Sequence, residues 1–525
     1  MSGRADATVL PKKLSKVRQA CDACHTRKVR CDGCRPCKNC LESVAECTYL
    51  AVHKKTGPKE GPRRPRRLPR QQPPAWRPLD SPHPRSSLGG EERSSSRAAR
   101  TARAAPGSPS APEDGVGFLP SPRVRSREVQ WCIDAYFTHK YPLTPILDRE
   151  QAGLWTVPAS PEQYSLVMAC CAVISLSPEI LPPSPCDLII PPADFLINES
   201  IRARQFCDLA GNPSLTHVQT SFFLYAVFFC KDKDNAAWYY LREAITILQA
   251  LRLHEETTYS TMDDPLLAKY GRRMFWVLFI TERAYSLQRN RPVTLQDTLG
   301  LPHVSPSSSD AEILLGFLDL ISLYRHFGAD LIATWNSPTR STNADLDLMS
   351  LQNHLRYTLP NVSTYAPAQQ ADLLMSRQWL KIVVWKLCVS QSTLSITGNS
   401  QDAMSLHYPA AIARDVVLAT RLVSTEAFEA NGIGILEKVF DVGCSLADVL
   451  LLVPGSLGSA IDVGPIDLLM EIVKIVGTRF GGSYRHLSML ADKAHGCLLM
   501  NVDRSLPLPA DTASDTHDRV EELSM

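Results

Sequence analysis

The stretch CDACHTRKVRCDGCRPCKNCLESVAEC, Cys21–Cys47, decides how this 525-residue chain is read. Cys21, Cys24 and Cys31 follow the spacing C-x2-C-x6-C, and Cys37, Cys40 and Cys47 repeat it after a five-residue connection. A Cys-x-x-Cys turn brings two thiolates to one metal, and a third cysteine six residues later can return to the same ion. Two separate half-sites would leave three sulfurs per ion where structural zinc takes four. Six sulfurs satisfy eight coordination positions only if two of them serve both ions. The spacing therefore predicts a binuclear cluster of two Zn2+ held by Cys21, Cys24, Cys31, Cys37, Cys40 and Cys47. Cys34 breaks the repeat if it replaces Cys37 and is read as a loop thiol; His25 directly follows a ligand and is not assigned to metal.

Alternative metal modules fit less well. A redox dithiol wants one Cys-x-x-Cys beside a βαβ pattern, which is absent, and a two-Cys, two-His finger lacks its histidines. A metal store would not need the basic residues set between these ligands. Arg27, Lys28 and Arg30 stand between Cys24 and Cys31, suited to donate to guanine O6 and N7 in a major groove. Arg18, Lys38, Lys54 and Lys55 surround them and suit phosphate contacts, which add affinity without sequence information.

Outward from the cluster, charge divides the chain. Residues 1–126 hold 26 Lys and Arg against 11 Asp and Glu, a net of +15, while residues 127–525 carry 30 against 43, a net of −13. The overall charge of +2 conceals a basic arm joined to an acidic body. Balancing a cluster of formal charge −2 would occupy only two or three of those cations, so the arm points to a nucleic-acid partner. The run Arg63, Arg64, Arg66 and Arg67 is a candidate nuclear-import signal.

Five segments follow from composition: a basic lead (1–20), the cysteine module (21–50), a Pro/Arg/Ser-rich linker (51–126), a large all-α domain (127–505) and an acidic tail (506–525). The linker holds 14 of the 39 prolines and few large apolar residues, so it is expected to be disordered. Its prolines also exclude a coiled coil after the cysteine module. Beyond it, apolar residues recur at helical spacing: Val129, Cys132, Ile133, Tyr136 and Phe137; Trp238, Leu241, Ile245 and Leu248; Ile412, Val416, Ala419 and Val423; Ile466, Leu469, Met470, Val473 and Val476. Loops are expected near 181–195, 301–310 and 336–366. No apolar run reaches the 18 residues of a membrane span, and the N-terminus lacks a secretory signal, so no membrane partner is expected and the cysteines are read as reduced. No Gly-rich phosphate loop, Gly-x-Ser-x-Gly or His-Glu-x-x-His motif marks an enzyme.

The cysteine stretch resembles the six-cysteine binuclear zinc cluster of fungal transcription factors of the galactose-regulator type. That resemblance implies that Cys21 and Cys37 bridge, that Cys24, Cys31, Cys40 and Cys47 are terminal, and that Arg27 and Lys28 read CGG-like triplets. Pro36 matches the family's inter-half proline, whereas His25 replaces a usual Arg or Lys and Cys34 is extra. Asn235–His254 and Gly271–Pro292 resemble the fungal-specific transcription factor domain, with Arg272, Arg273, Phe275, Trp276, Glu282 and Arg283 at its characteristic places. These charged residues are expected to cap helices and form ion pairs inside the helical domain, with contact to an effector or partner as the alternative. The expectation is a nuclear, sequence-specific RNA polymerase II transcription factor binding double-stranded DNA and the transcription machinery or co-regulators. Either a homodimer forms through the α-domain or the protein binds DNA as a monomer. For targets, a secondary-metabolite gene cluster is the first reading and carbon-source utilisation the alternative. A metal-binding protein with a helical enzyme domain is the rival of another class.

Overall fold

The computed structural model describes residues 20–48 and 117–505, apart from 33, 35, 44–45, 155–159, 178–179, 181–187, 338–346, 392–404, 453–463 and 480–483. Arg18, Lys54, Lys55, the 63–67 arginine run, residues 51–116 of the linker and the acidic tail lie outside the described residues. The chain divides into two units, Met1–Pro106 and Gly107–Met525.

The described residues of the first unit form two five-residue helices, α1 (Asp22–Thr26) and α2 (Lys38–Glu42). Each starts on a cysteine at its N-cap, Cys21 and Cys37, and carries a second at its third position, Cys24 and Cys40. The sequence repeat is thus a structural repeat. Five cysteines form the buried centre, Cys21, Cys24, Cys31, Cys37 and Cys40, with Cys47 half-buried against them. A core of sulfur, with only Ala20 and Ala23 packed against it among the described residues, cannot hold itself together at this size.

In the second unit the described residues contain helices and no β-strand: α3 (Ser126–Ala135), continued by a π-turn (Tyr136–Lys140), α4 (Arg149–Gly153), α5 (Pro161–Ser175), α6 (Ala193–Arg204), α7 (Leu215–Cys230), α8 (Asp234–Ala250), α9 (Glu256–Ser260), α10 (Pro265–Arg289), α11 (Ala311–Arg325), α12 (Ala329–Asn336), α13 (Leu348–Tyr357), α14 (Pro367–Ser390), α15 (Tyr408–Leu422), α16 (Thr425–Glu429), α17 (Ile433–Leu452), α18 (Pro465–Thr478) and α19 (Leu487–Ser505). Local sequence explains their starts. Ser160, Ser214 and Ser424 accept the N–H three residues on, and Asp264 accepts those of Leu266 and Leu267, with Pro161, Pro265 and Pro465 at first-turn positions that need no donor. The first helix stops ahead of Pro142, as its sequence requires. No helix among the described residues is long and apolar enough to cross a membrane.

Two apolar cores result. One gathers helices α3 to α14 around Trp276, Phe275, Phe279, Leu241 and Tyr164; the other gathers α14 to α19 around Ile412, Leu436, Leu469 and Leu490. Helix α14 belongs to both, giving Trp379, Leu380 and Val383 to the first and Met375, Ile382 and Trp385 to the second.

Three expectations need correction. The helical unit takes in residues 117–126, assigned above to the linker: the Phe118 ring packs 5.2 Å from Tyr164 and 5.4 Å from Phe206, under the Arg202 guanidinium. An aromatic anchor ahead of α3 outweighs the proline-rich composition around it. Residues 348–357, placed in a loop, form α13, whose buried residues are Leu348, Gln352 and Leu355. The buried face of α18 is Leu468, Leu469, Ile472, Ile475 and Val476, and Met470 faces outward at 40% exposure.

Candidate metal centre and nucleic-acid interface

In the cysteine module the sulfurs fall into two groups, Cys21–Cys24–Cys31–Cys37 and Cys21–Cys37–Cys40–Cys47, the atoms of each group lying within 4.8 Å of one another. Cys21 and Cys37 belong to both. The sulfur separations are 3.7 Å for Cys21–Cys37, 3.6 Å for Cys21–Cys40 and 3.5 Å for Cys24–Cys37. Tetrahedral sulfurs at about 2.3 Å from zinc lie ~3.8 Å apart, so these spacings are close to the edges of metal tetrahedra. Burial pushes the Cys24 thiol up to about 12, with the neighbouring Cys21 and Cys37 sulfurs adding to the shift. Six crowded sulfurs cannot ionise together unless cations replace their protons, which is the chemistry of a zinc site. The donor set fits two zinc ions. Cys34 is exposed and stands in neither group.

Hydrogen bonds tie the two halves together. The Asp32 carboxylate accepts the N–H groups of Cys34 and Lys38, both at 3.0 Å, and these bonds hold it below the usual carboxylate range. The chain ends of the module meet where the Asp22 N–H donates to the Thr48 carbonyl at 2.8 Å and the Thr48 hydroxyl donates to the Asp22 carboxylate at 2.9 Å. The Asn39 amide donates to the Arg30 carbonyl, and Arg27 Nη1 donates to the Ser43 hydroxyl at 2.6 Å. Asp32, Asn39 and Ser43 were not singled out from sequence. Asp32 was legible as an Asx turn, since Asp commonly accepts the N–H two residues on; the other two make contacts across the pseudo-repeat that no local pattern encodes.

The basic loop has a defined shape. Helix α1 ends in a Schellman motif: the Val29 N–H donates to the Cys24 carbonyl at 3.1 Å and the Lys28 N–H to the His25 carbonyl at 3.2 Å. The motif needs a left-handed residue, usually glycine, and here Lys28 occupies it with φ of 54°. Arg27, Lys28 and Arg30 are all exposed, as is Lys38, whose ammonium lies 3.9 Å from Glu42. The described cations are therefore brought to one small module, with Arg27 leaning on Ser43.

Of the charged residues expected to pair within the helical unit, Arg272, Arg273 and Glu282 do so, whereas Arg283 bonds to backbone carbonyls instead. Arg273 meets Asp310 at 2.7 Å with both side chains buried, and Arg272 meets Glu256 at 2.6 Å. Glu282, fully buried, accepts from Arg242 at 2.8 Å and from the backbone N–H groups of Thr294 and Leu295 at 2.9 Å. Arg283 donates to the carbonyls of Phe327 and Leu295 at 3.0 Å. These contacts pin the 291–300 segment to α10.

Comparison with known proteins agrees with this geometry. Residues 19–56 match the Fungal Zn(2)-Cys(6) binuclear cluster domain and residues 133–303 the Fungal specific transcription factor domain. The chain is 25% identical over 444 residues to the probable sucrose utilization protein SUC1 of Candida albicans, covering 83% of this chain and 80% of the relative. It is 23% identical over 452 residues to the maltose fermentation regulatory protein MAL13 of Saccharomyces cerevisiae, covering 83% and 85%. It is 24% identical over 453 residues to the respiratory transcription factor ZNF1 of the same yeast, covering 83% and 86%. Two sulfur groups joined at Cys21 and Cys37, and relatives matched along most of their length, lead to one statement: the chain carries a fungal Zn(2)-Cys(6) binuclear cluster domain, a DNA-binding module that takes two zinc ions, followed by a fungal specific transcription factor domain.

Proposed function

We propose that this regulator controls genes of sugar utilisation. The observation that carries the reading is the reach of the similarity to the sucrose utilization protein and the maltose fermentation regulatory protein, which extends over 83% of the chain and so takes in most of the helical unit. This favours carbon-source utilisation over the secondary-metabolite cluster read first from sequence. A cavity of about 410 Å³ in the helical unit supports a role in sensing a small effector: Phe222, Tyr225 and Phe229 offer aromatic faces, and Asp372, Asn431 and Lys438 offer polar groups.

In this reading the cluster is structural and the side chains around it do the recognition. Zinc, when bound, keeps all six sulfurs ionised and supplies the folding free energy of the module. Cys21 and Cys37 would bridge, and Cys24, Cys31, Cys40 and Cys47 would complete the two tetrahedra. Lys28 and Arg27, with Arg30 beside them, would donate to guanine edges of CGG-like triplets, while Lys38, Arg18, Lys54 and Lys55 would contact phosphates. Arg63, Arg64, Arg66 and Arg67 would direct the protein to the nucleus. Homodimerisation through the helical unit and recruitment of co-regulators complete the proposal. The helical unit would act as a regulatory, non-catalytic part.

Mapping of bound genomic sites, with transcript measurement in a deletion strain grown on sucrose, maltose and glucose, tests the reading. Bound CGG-like sites upstream of sugar transport and hydrolysis genes, with those genes failing to respond after deletion, are expected. Sites confined to a biosynthetic cluster, with normal growth on all three sugars, would return the account to the other targets.

A further inference from the structure

Apart from the zinc module, the helical unit concentrates positive charge in one cleft. Helices α13, α14 and α15 enclose a cavity of about 140 Å³ lined by Arg356, Arg377, Lys381, Tyr408 and Asp415. That is about the liquid volume of four or five waters, room for the head of a small anion. Arg377 and Lys381 are one turn apart on α14, so two like charges share a face where they oppose each other.

Their compensation within the protein is incomplete. Lys381 is 7% exposed, with its ammonium 3.1 Å from the Gln378 amide oxygen and 3.8 Å from Asp415. Asp415 is 48% exposed and is the one carboxylate lining the cleft among the described residues. Arg377 donates through Nη1 to the Thr358 carbonyl at 3.0 Å, while its Nε is buried without a hydrogen-bond partner. Burying such groups unpaired is costly, so proteins seldom keep them without a counter-ion. Burial, followed by the Arg377 charge, holds Lys381 down to about 8. Among the described residues, three cations against one carboxylate leave the lining two negative charges short.

We infer that this cleft binds the phosphoryl group of a small phosphate monoester. A monoester brings close to two negative charges at neutral pH and three acceptor oxygens, matching both the deficit and the donors. Arg377, Lys381 and Tyr408 line it from two helices, and Arg356 lines it from a third. Burial keeps the Tyr408 phenol protonated, raised to about 12, so it serves as a donor. Arg356 and Asp415 stand at the exposed side, so the rest of the ligand would extend into solvent. Lys381 and Arg377 lie on the helix common to both cores, while Tyr408 and Asp415 belong to a helix of the second, so a bound monoester would tie the cores together. The inference does not depend on which genes the protein controls.

The test uses purified, zinc-loaded full-length protein, titrated by calorimetry and thermal unfolding with glycerol 3-phosphate, inorganic phosphate, acetate and glycerol at matched ionic strength. Glycerol 3-phosphate and phosphate should bind saturably and raise the unfolding temperature, whereas acetate and glycerol should not. Arg356→Gln, on the surface and compatible with folding, should weaken binding about tenfold or more, since a hydrogen bond to a charged group is worth at least that much. Asp415→Asn should tighten it by removing the competing carboxylate, and Lys381→Met should abolish it. The basic N-terminal arm also attracts phosphate, so the contrast between wild type and Arg356→Gln isolates the cleft. No saturable binding, equal binding of acetate, or equal affinity in wild type and Arg356→Gln would overturn the assignment.

Discussion

Lys28 separates what stabilises the zinc module from what would let it read DNA. Its backbone sits at φ of 54° in the position after the α1 cap, where glycine is usual. A left-handed conformation costs a side-chain-bearing residue about 1 kcal/mol or somewhat more, and the two Schellman hydrogen bonds use only backbone atoms. Lys28→Gly should therefore keep the loop and raise the stability of the metal-loaded module by about 1 kcal/mol, a factor of ~5 in its folding equilibrium. Lys28→Ala keeps the strain and should leave stability near wild type. Both remove the ammonium. If it donates to a guanine edge, both should lose about 1–3 kcal/mol of affinity for CGG duplexes and far less for scrambled ones. The assay pairs fluorescence-anisotropy titration of the two duplexes with thermal unfolding of the zinc-loaded protein. A glycine variant no more stable than the alanine variant would refute the conformational reasoning. Wild-type affinity for CGG in both variants would refute the assigned contact.

The helical unit makes equally definite predictions. Asp310→Asn leaves the buried Arg273 guanidinium without its charge partner and should destabilise the protein by roughly 3–5 kcal/mol, read from the urea midpoint. Burial raises the Asp310 carboxyl, but the Ser308 hydroxyl and the Arg273 guanidinium outweigh it and hold the group down to about 2. With the folded value depressed below the unfolded one, this stabilisation is complete above about pH 5 and is lost as pH falls from roughly 4 towards 2; the Asp310→Asn variant should lack that part of the acid profile. Gly443→Ala should cost about 1–3 kcal/mol in the same assay, because a new Cβ would stand 2.8 Å from the Ile472 methyl and 3.1 Å from Leu490 in the second core.

What could be read from the sequence depended on how tightly chemistry ties residue spacing to geometry. Two metals and six thiolates admit few arrangements, so the repeat led directly to two joined sulfur groups, and the shared pair at Cys21 and Cys37 follows the family resemblance. The loop conformation at Lys28 was hidden, since lysine gives no sign of the left-handed turn that glycine would have announced. Helical faces were legible where polar residues frame them, as on α3, α8 and α15. On α18 too many apolar residues compete, and the reading put Met470 inside when it lies outside. Helix α13 escaped because its buried stripe has Gln352 at its centre, whose amide nitrogen donates to the Lys381 carbonyl at 2.8 Å. The charged pairs on α10 were recognisable as structural, but their partners Glu256 and Asp310 lie in separate segments that only the fold brings near. Phe118 shows the same limit, as one aromatic ring among prolines decides where the folded unit begins.

The account rests on two sulfurs each serving two metals. Metal analysis of the purified full-length protein, with protein concentration fixed by amino-acid analysis, tests this most directly. It should return two zinc ions per chain. One zinc per chain would mean that four sulfurs make a closed site on their own, contradicting the shared geometry of Cys21 and Cys37.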